Sequence, residues 1–90
     1  MLNSSLSTIS SSFKCTVLSD GADLNDIDIG FWFATNKCVN GIGNYMQVIQ
    51  LAPKYYGNKS QIGIVLSNSD PHIYIRVSTS FTWGKWVLIK

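Results

Sequence analysis

The chain has 90 residues, seven basic and five acidic, for a formal net charge of +2. It is 46% hydrophobic, 12% aromatic and only 13% charged, whereas ordinary domains are about one-quarter charged. The length allows one domain, and the scattered lysines form no run that would track a phosphate backbone, which argues against a nucleic-acid partner.

A domain of this size buries roughly 60–65% of its unfolded surface. So apolar a chain with so few charges must hide surface elsewhere, and assembly with other chains is expected. All five acids are Asp and Glu is absent. Because Glu favours helices and Asp does not, a helical body is not expected.

Residues 1–14 differ from the rest. Leu2, Leu6, Ile9 and Phe13 follow a 4-3-4 spacing, the a/d rhythm of a coiled coil, with Ser, Thr and Asn between them. Two readings stay open: the end of a multi-chain stalk, or a polar flexible leader with accidental spacing. This start lacks the basic and apolar regions of a signal peptide, so export by the ordinary secretory route is not expected. No apolar run is long enough to span a bilayer, so membrane insertion is not expected either.

Residues 15–90 read as a single β domain. "KCTVL" is a short strand, followed by the turn-rich "SDGADLND". "IGFWFAT" is a strand, and Asn40-Gly41 in "NKCVNGIGN" is a hairpin cue. "YMQVIQLA" is a strand ended by Pro53, and "KYYGNKS" turns at Gly57-Asn58. "QIGIVLS" follows, then a turn at "NSDP". "HIYIRVS" alternates most cleanly, with Ile73, Ile75 and Val77 on one side and His72, Tyr74 and Arg76 on the other. "TSFTWGKWVLIK" closes the chain as an aromatic strand or turn and a last strand. Six short strands joined by hairpin turns predict an all-β fold, a small antiparallel sheet or sandwich.

Cys15 and Cys38 form no CxxC pair, and His72 alone cannot complete a zinc set. Two free, buried or half-buried thiols are expected, in a protein folded in a reducing cytosol.

The ordered set Asp23-Leu24-Asn25, Gly30-Phe31-Trp32-Phe33, Gln61, Tyr74 to Arg76 and Trp83 to Trp86 resembles the knob domain of phage and R-type pyocin tail fibres. The likeness covers roughly residues 20–90. It departs from the family at "NKCVNGIGN", where many relatives carry a small-residue and Pro stretch. The resemblance implies a homotrimer on a fibre stalk, attached to other tail-fibre or baseplate proteins. It implies a virion protein made in the host bacterial cytoplasm and released by lysis, which binds a bacterial surface polysaccharide or other receptor.

No enzyme signature accompanies His72, which reads as a strand residue at an exposed edge, so no catalytic residue is assigned. The acids at 20, 23, 26 and 28 share one loop, a poor scaffold for the paired carboxylates of a glycosidase. They offer oxygen ligands but lack the spacing and final Glu of an EF-hand, so no metal or cofactor is expected. Asp23 and Asn25 read instead as turn-shaping residues, and Gly30 as a point of close backbone approach.

The aromatic residues are the better lead, since flat rings bind sugar C–H faces. The candidate glycan-binding residues are Tyr55, Tyr56, Trp32, Tyr74, Arg76, Trp83 and Trp86. Against this stands a structural reading of Trp83, Trp86 and Arg76 as ring packing with a cation–π contact. The expected function is therefore host attachment by a fibre knob. The alternative is a trimerisation or spacer knob, or a small virion decoration protein, with no receptor of its own.

Overall fold

The computed structural model describes residues 14–66 and 70–90. The expected stalk or leader at 1–14 lies outside the described residues except for Lys14, as do Asn68 and Ser69 of the "NSDP" turn. The described chain is all-β, with strands β1 (Cys15–Val17), β2 (Gly30–Ala34), β3 (Met46–Gln50), β4 (Lys59–Val65), β5 (His72–Thr79), β6 (Thr82–Trp83) and β7 (Val87–Leu88). They form one sheet in the order β1-β2-β3-β4-β5, with β6 and β7 both paired to β5.

The sheet is mixed rather than antiparallel, and it is a single layer rather than a sandwich. β1 runs parallel to β2, with Cys15 opposite Phe31, while every other pair is antiparallel. A parallel pair cannot be closed by a tight turn and needs a crossover of about a dozen residues. Residues 18–29, which contain "DLNDIDI", are that crossover. β4 begins two residues before Gln61, because Lys59 and Ser60 continue the ladder opposite Ser78 and Val77.

Register divides the side chains into two faces, since residues opposite one another share a face. One row runs Cys15, Phe31, Ile49, Ile62, Ile75, Val87 across the sheet, and a second runs Val17, Phe33, Gln47, Ile64, Ile73. None of these eleven side chains is buried. The opposite face carries Ala34, Met46, Val48, Gln50, Lys59, Gln61, Val65, Arg76 and Ser78, all buried. The alternation in "HIYIRVS" is as expected, but the side carrying Tyr74 and Arg76 is the covered one, and Ile73 and Val77 are exposed.

The cover is the crossover. Leu24 and Ile27 press onto Ala34, Met46, Val48 and Val65 to form the core, flanked by Leu18, Trp32, Cys38, Ile42, Tyr74 and Trp86. The 35–45 loop joins the crossover through a bridge between Asp23 and Val39. Asn40 there has φ of 63°, as its hairpin cue requires, but it sits in a broad loop rather than a two-residue turn. Gly30 is needed for its φ of +139° rather than for close approach, since a Cβ there would meet nothing nearer than Trp32 Nε1 at 3.8 Å. Both cysteines are free, but Cys15 is exposed on the edge strand and only Cys38 is half-buried.

Candidate ligand-binding end of the sheet

Three polar side chains lie in one row on the covered face: Gln50 opposite Gln61, and Gln61 opposite Arg76. An amide offers two N–H donors and one carbonyl acceptor, and here both Gln side chains are well used. Gln50 Nε2 donates to the Ile27 and Ala52 carbonyls at 2.8 and 2.9 Å. Gln61 Nε2 donates to the Leu24 carbonyl and to Gln50 Oε1, each at 2.7 Å. Arg76 Nε donates to Gln61 Oε1 at 2.8 Å. The row thus binds the crossover's carbonyls to the sheet, which explains how a polar stripe is buried without orphaned amides.

Arg76 ends this row between two rings, its guanidinium carbon 4.2 Å from the Trp83 centroid and 4.8 Å from that of Trp86. Burial pushes its pKa down to about 10, with Asp23 opposing, so it stays cationic at neutral pH. Its Nη2 has no hydrogen-bond partner, and the ring faces supply the compensating attraction. Trp86 is fixed in turn by its indole N–H, which donates to the Asn40 carbonyl at 2.9 Å, and by Gly63, where a Cβ would lie 3.1 Å from the ring. This assembly clamps the covered face, with Arg76 buried and both rings half-buried.

Trp32 and Tyr74 lie on the same covered face, separated in their row by Val48 and Gly63. Trp32 Nε1 donates to the Asp28 carbonyl at 3.0 Å, and both rings pack against the core. Of the seven sequence-derived candidates, only Tyr55 and Tyr56 stand clear. They are 71% and 54% exposed, with rings 5.2 Å apart in an edge-on pair.

Their loop, between β3 and β4, is held from several sides. Asp28 Oδ1 accepts from the Ile29 and Lys54 N–H groups, and these two bonds hold its carboxyl below the usual value of 3.8. The ammonium of buried Lys59 donates to the Lys54 carbonyl at 2.7 Å. The Gly57 carbonyl accepts from Ser78 Oγ and from the Phe81 N–H, each at 3.0 Å, and Asn58 Oδ1 accepts from the Ser80 N–H.

Those last contacts bring up a residue that sequence reasoning missed. Ser80 and Phe81 make the β5–β6 turn with φ of 51° and 67°, a left-handed pair that Asn and Gly ordinarily supply. Phe81 is 70% exposed, and its ring lies against Gly57, where a Cβ would come within 3.1 Å of it. A bulky residue at positive φ is costly and is found where the surroundings impose it. "TSFT" carries no turn signal, so nothing in the sequence marks this position. Phe81 joins Tyr55 and Tyr56 as a third exposed ring carried by the two turns at this end. Next to it is an open groove of about 450 Å³, lined by Leu51, Asn58, Lys59, Ser60, Val77 and Thr79 among others.

The acids do not converge. Asp23 Oδ1 accepts from the Asn25 N–H at 2.8 Å and from Asn40 Nδ2 at 2.7 Å, so Asp23 shapes the turn as expected. Asn25 contributes only its backbone, and its Oδ1 is buried without a partner. Among the described residues no three His, Cys, Asp or Glu side chains come together. His72 opens β5, an inner strand rather than an edge, half-buried with Nε2 3.3 Å from Asp70 Oδ2.

No protein-family profile, characterised protein or solved structure matches this chain.

Proposed function

We propose that the chain is the receptor-binding knob of a tail fibre from a bacteriophage or phage-tail-like particle. In this reading it is a homotrimer in the virion, joined to other tail-fibre or baseplate proteins and made in the host bacterial cytoplasm. It attaches to a bacterial surface glycan. The observation that carries the reading is the exposed Tyr55–Tyr56 pair on a loop pinned by Asp28, Lys59 and Ser78. Rigid, solvent-facing rings lose little entropy when they meet a flat sugar face. The ordered motifs from Asp23 to Trp86 supply the fibre-knob part.

Binding to whole bacteria and to a glycan array tests it. Tyr55→Ala and Tyr56→Ala should each weaken binding at least about tenfold, the size expected of a central aromatic contact, without changing the melting temperature. A second reading, a trimerisation or spacer knob or a decoration protein without its own receptor, is favoured by the inward placement of Arg76, Trp83 and Trp86. Absence of binding by the unaltered protein to any host cell or glycan would select that reading.

A further inference from the structure

The uncovered face of the sheet carries two unbroken rows, Cys15 to Val87 and Val17 to Ile73, with Gln47 as the polar exception and no charged side chain. Among the described residues no strand packs across it, since strand contacts run only between sheet neighbours. We infer that this face is where copies of this chain pack against one another, sheet face to sheet face, around a shared apolar centre. The inference rests on the fibre-knob reading for the number of copies, three, and not for the identity of the occupant.

Area supports an occupant of this size. Six strands of two to eight residues, spaced about 4.8 Å apart and rising about 3.3 Å per residue, give a footprint of roughly 500 Å². Side chains standing on that footprint raise its accessible area toward the ~800 Å² per partner that a standard interface buries. It also lies toward the upper end of the largest apolar patch, about 300–600 Å², that monomers leave bare. Chemistry supports a like partner. The two rows hold one amide and no charged side chain, Lys85 lying only at the β5–β7 margin, so they offer little to a charged surface, whereas Ile, Val and Phe rows complement a second set of the same rows. The face is also dimpled, with depressions of about 180 Å³ beside Phe31, Gln47 and Ile64 and about 280 Å³ beside Ile75 and Val87. These can receive the side chains of a facing copy.

The test uses the full chain at micromolar concentration, with mass measured by light scattering. The unaltered protein is expected at three times the single-chain mass, and Ile62→Lys or Ile75→Lys should each drop it threefold to the single chain. A second measurement does not depend on those variants folding. In a Cys15→Ser, Cys38→Ser background, Gln47→Cys places a thiol at an already exposed position in the second row. Its maleimide labelling should slow at least tenfold between dilute and assembled protein. A twofold mass abolished by Ile75→Lys would support the face and overturn the three-copy number. Assembly that survives both lysine variants, or labelling that is equally fast in the assembly, would overturn the inference. So would a single-chain protein, whether its substituted thiol is free or shielded by the protein's own chain. Glycan binding lost on Tyr55→Ala is read independently of all these outcomes.

Discussion

The two faces of this sheet invert the usual arrangement. The covered face buries Gln50, Gln61, Lys59 and Arg76 beside a small apolar core, while the side left open is lined by Ile, Val and Phe. On the covered face the Gln amides and Arg76 are tolerated because of specific partners: amide to carbonyl, amide to amide, guanidinium to amide and indole, with Arg76 Nη2 alone lacking a hydrogen bond. On the open face the two rows carry a single amide, Gln47, among apolar side chains. The first face is specified by contacts within one chain; the second is the one proposed above for contact between copies.

Removing a match on the covered face should have the largest effect. Gln61→Leu leaves the Arg76 guanidinium and Gln50 Oε1 without their partner and frees the Leu24 carbonyl, so a loss of about 3 kcal/mol or more is expected. Denaturant unfolding measures it, and a loss below 1 kcal/mol would break the claim that matching holds this face. Overpacking the same face comes next. Gly63→Ala pushes a methyl against Met46 and the Trp86 ring, at an expected cost of about 2 kcal/mol, with a change in tryptophan fluorescence as Trp86 yields.

On the open face Val77→Thr, at a position 52% exposed and opposite Ser60, should alter stability by less than about 0.5 kcal/mol. A cost equal to that of Gly63→Ala would mean that the two faces do not differ. The smallest effect concerns the rim. Asp28 is held below 3.8 by the Ile29 and Lys54 N–H groups. Its contribution is therefore present above about pH 4 and is lost as pH falls through its lowered folded value. Melting curves of the unaltered protein and Asp28→Asn should differ at pH 6 and converge once the pH is taken below the lowered folded value of Asp28. A difference that persists there would remove the carboxylate from the account of how the tyrosine loop is held.

Strand positions were legible because they depend on local chemistry. β-branched and aromatic residues with a two-residue period mark β2, β3, β4 and β5 to within two residues. The exposed tyrosine turn was legible for the same reason, from Gly57-Asn58 and its lysines. The Arg76 clamp was half legible: a cation–π contact suggests itself from "IYIRV" and "WGKW", but contact with both rings at once depends on where β6 and β7 join β5. The Gln row was not legible as a row. Gln50 and Gln61 become partners only through the β3–β4 register, although Gln50's shared side with Met46 and Val48 in "MQVIQ" was a usable hint. Phe81 was the least legible, because its left-handed backbone is imposed by Gly57 and Asn58 across the turn and by nothing in its own neighbours.

What the residues determined by themselves was an all-β chain and the alternation within each strand, since propensity and period act over a few residues. Period two says that two faces exist and is silent on which is inside. That choice was made in three dimensions. The parallel pairing of β1 with β2 sends residues 18–29 across one side, and Leu24 and Ile27 bury whatever they land on. Their side chains land on Ala34, Met46, Val48 and Val65 while Gln50 and Gln61 capture their carbonyls, and so the isoleucines of the other face are left facing out.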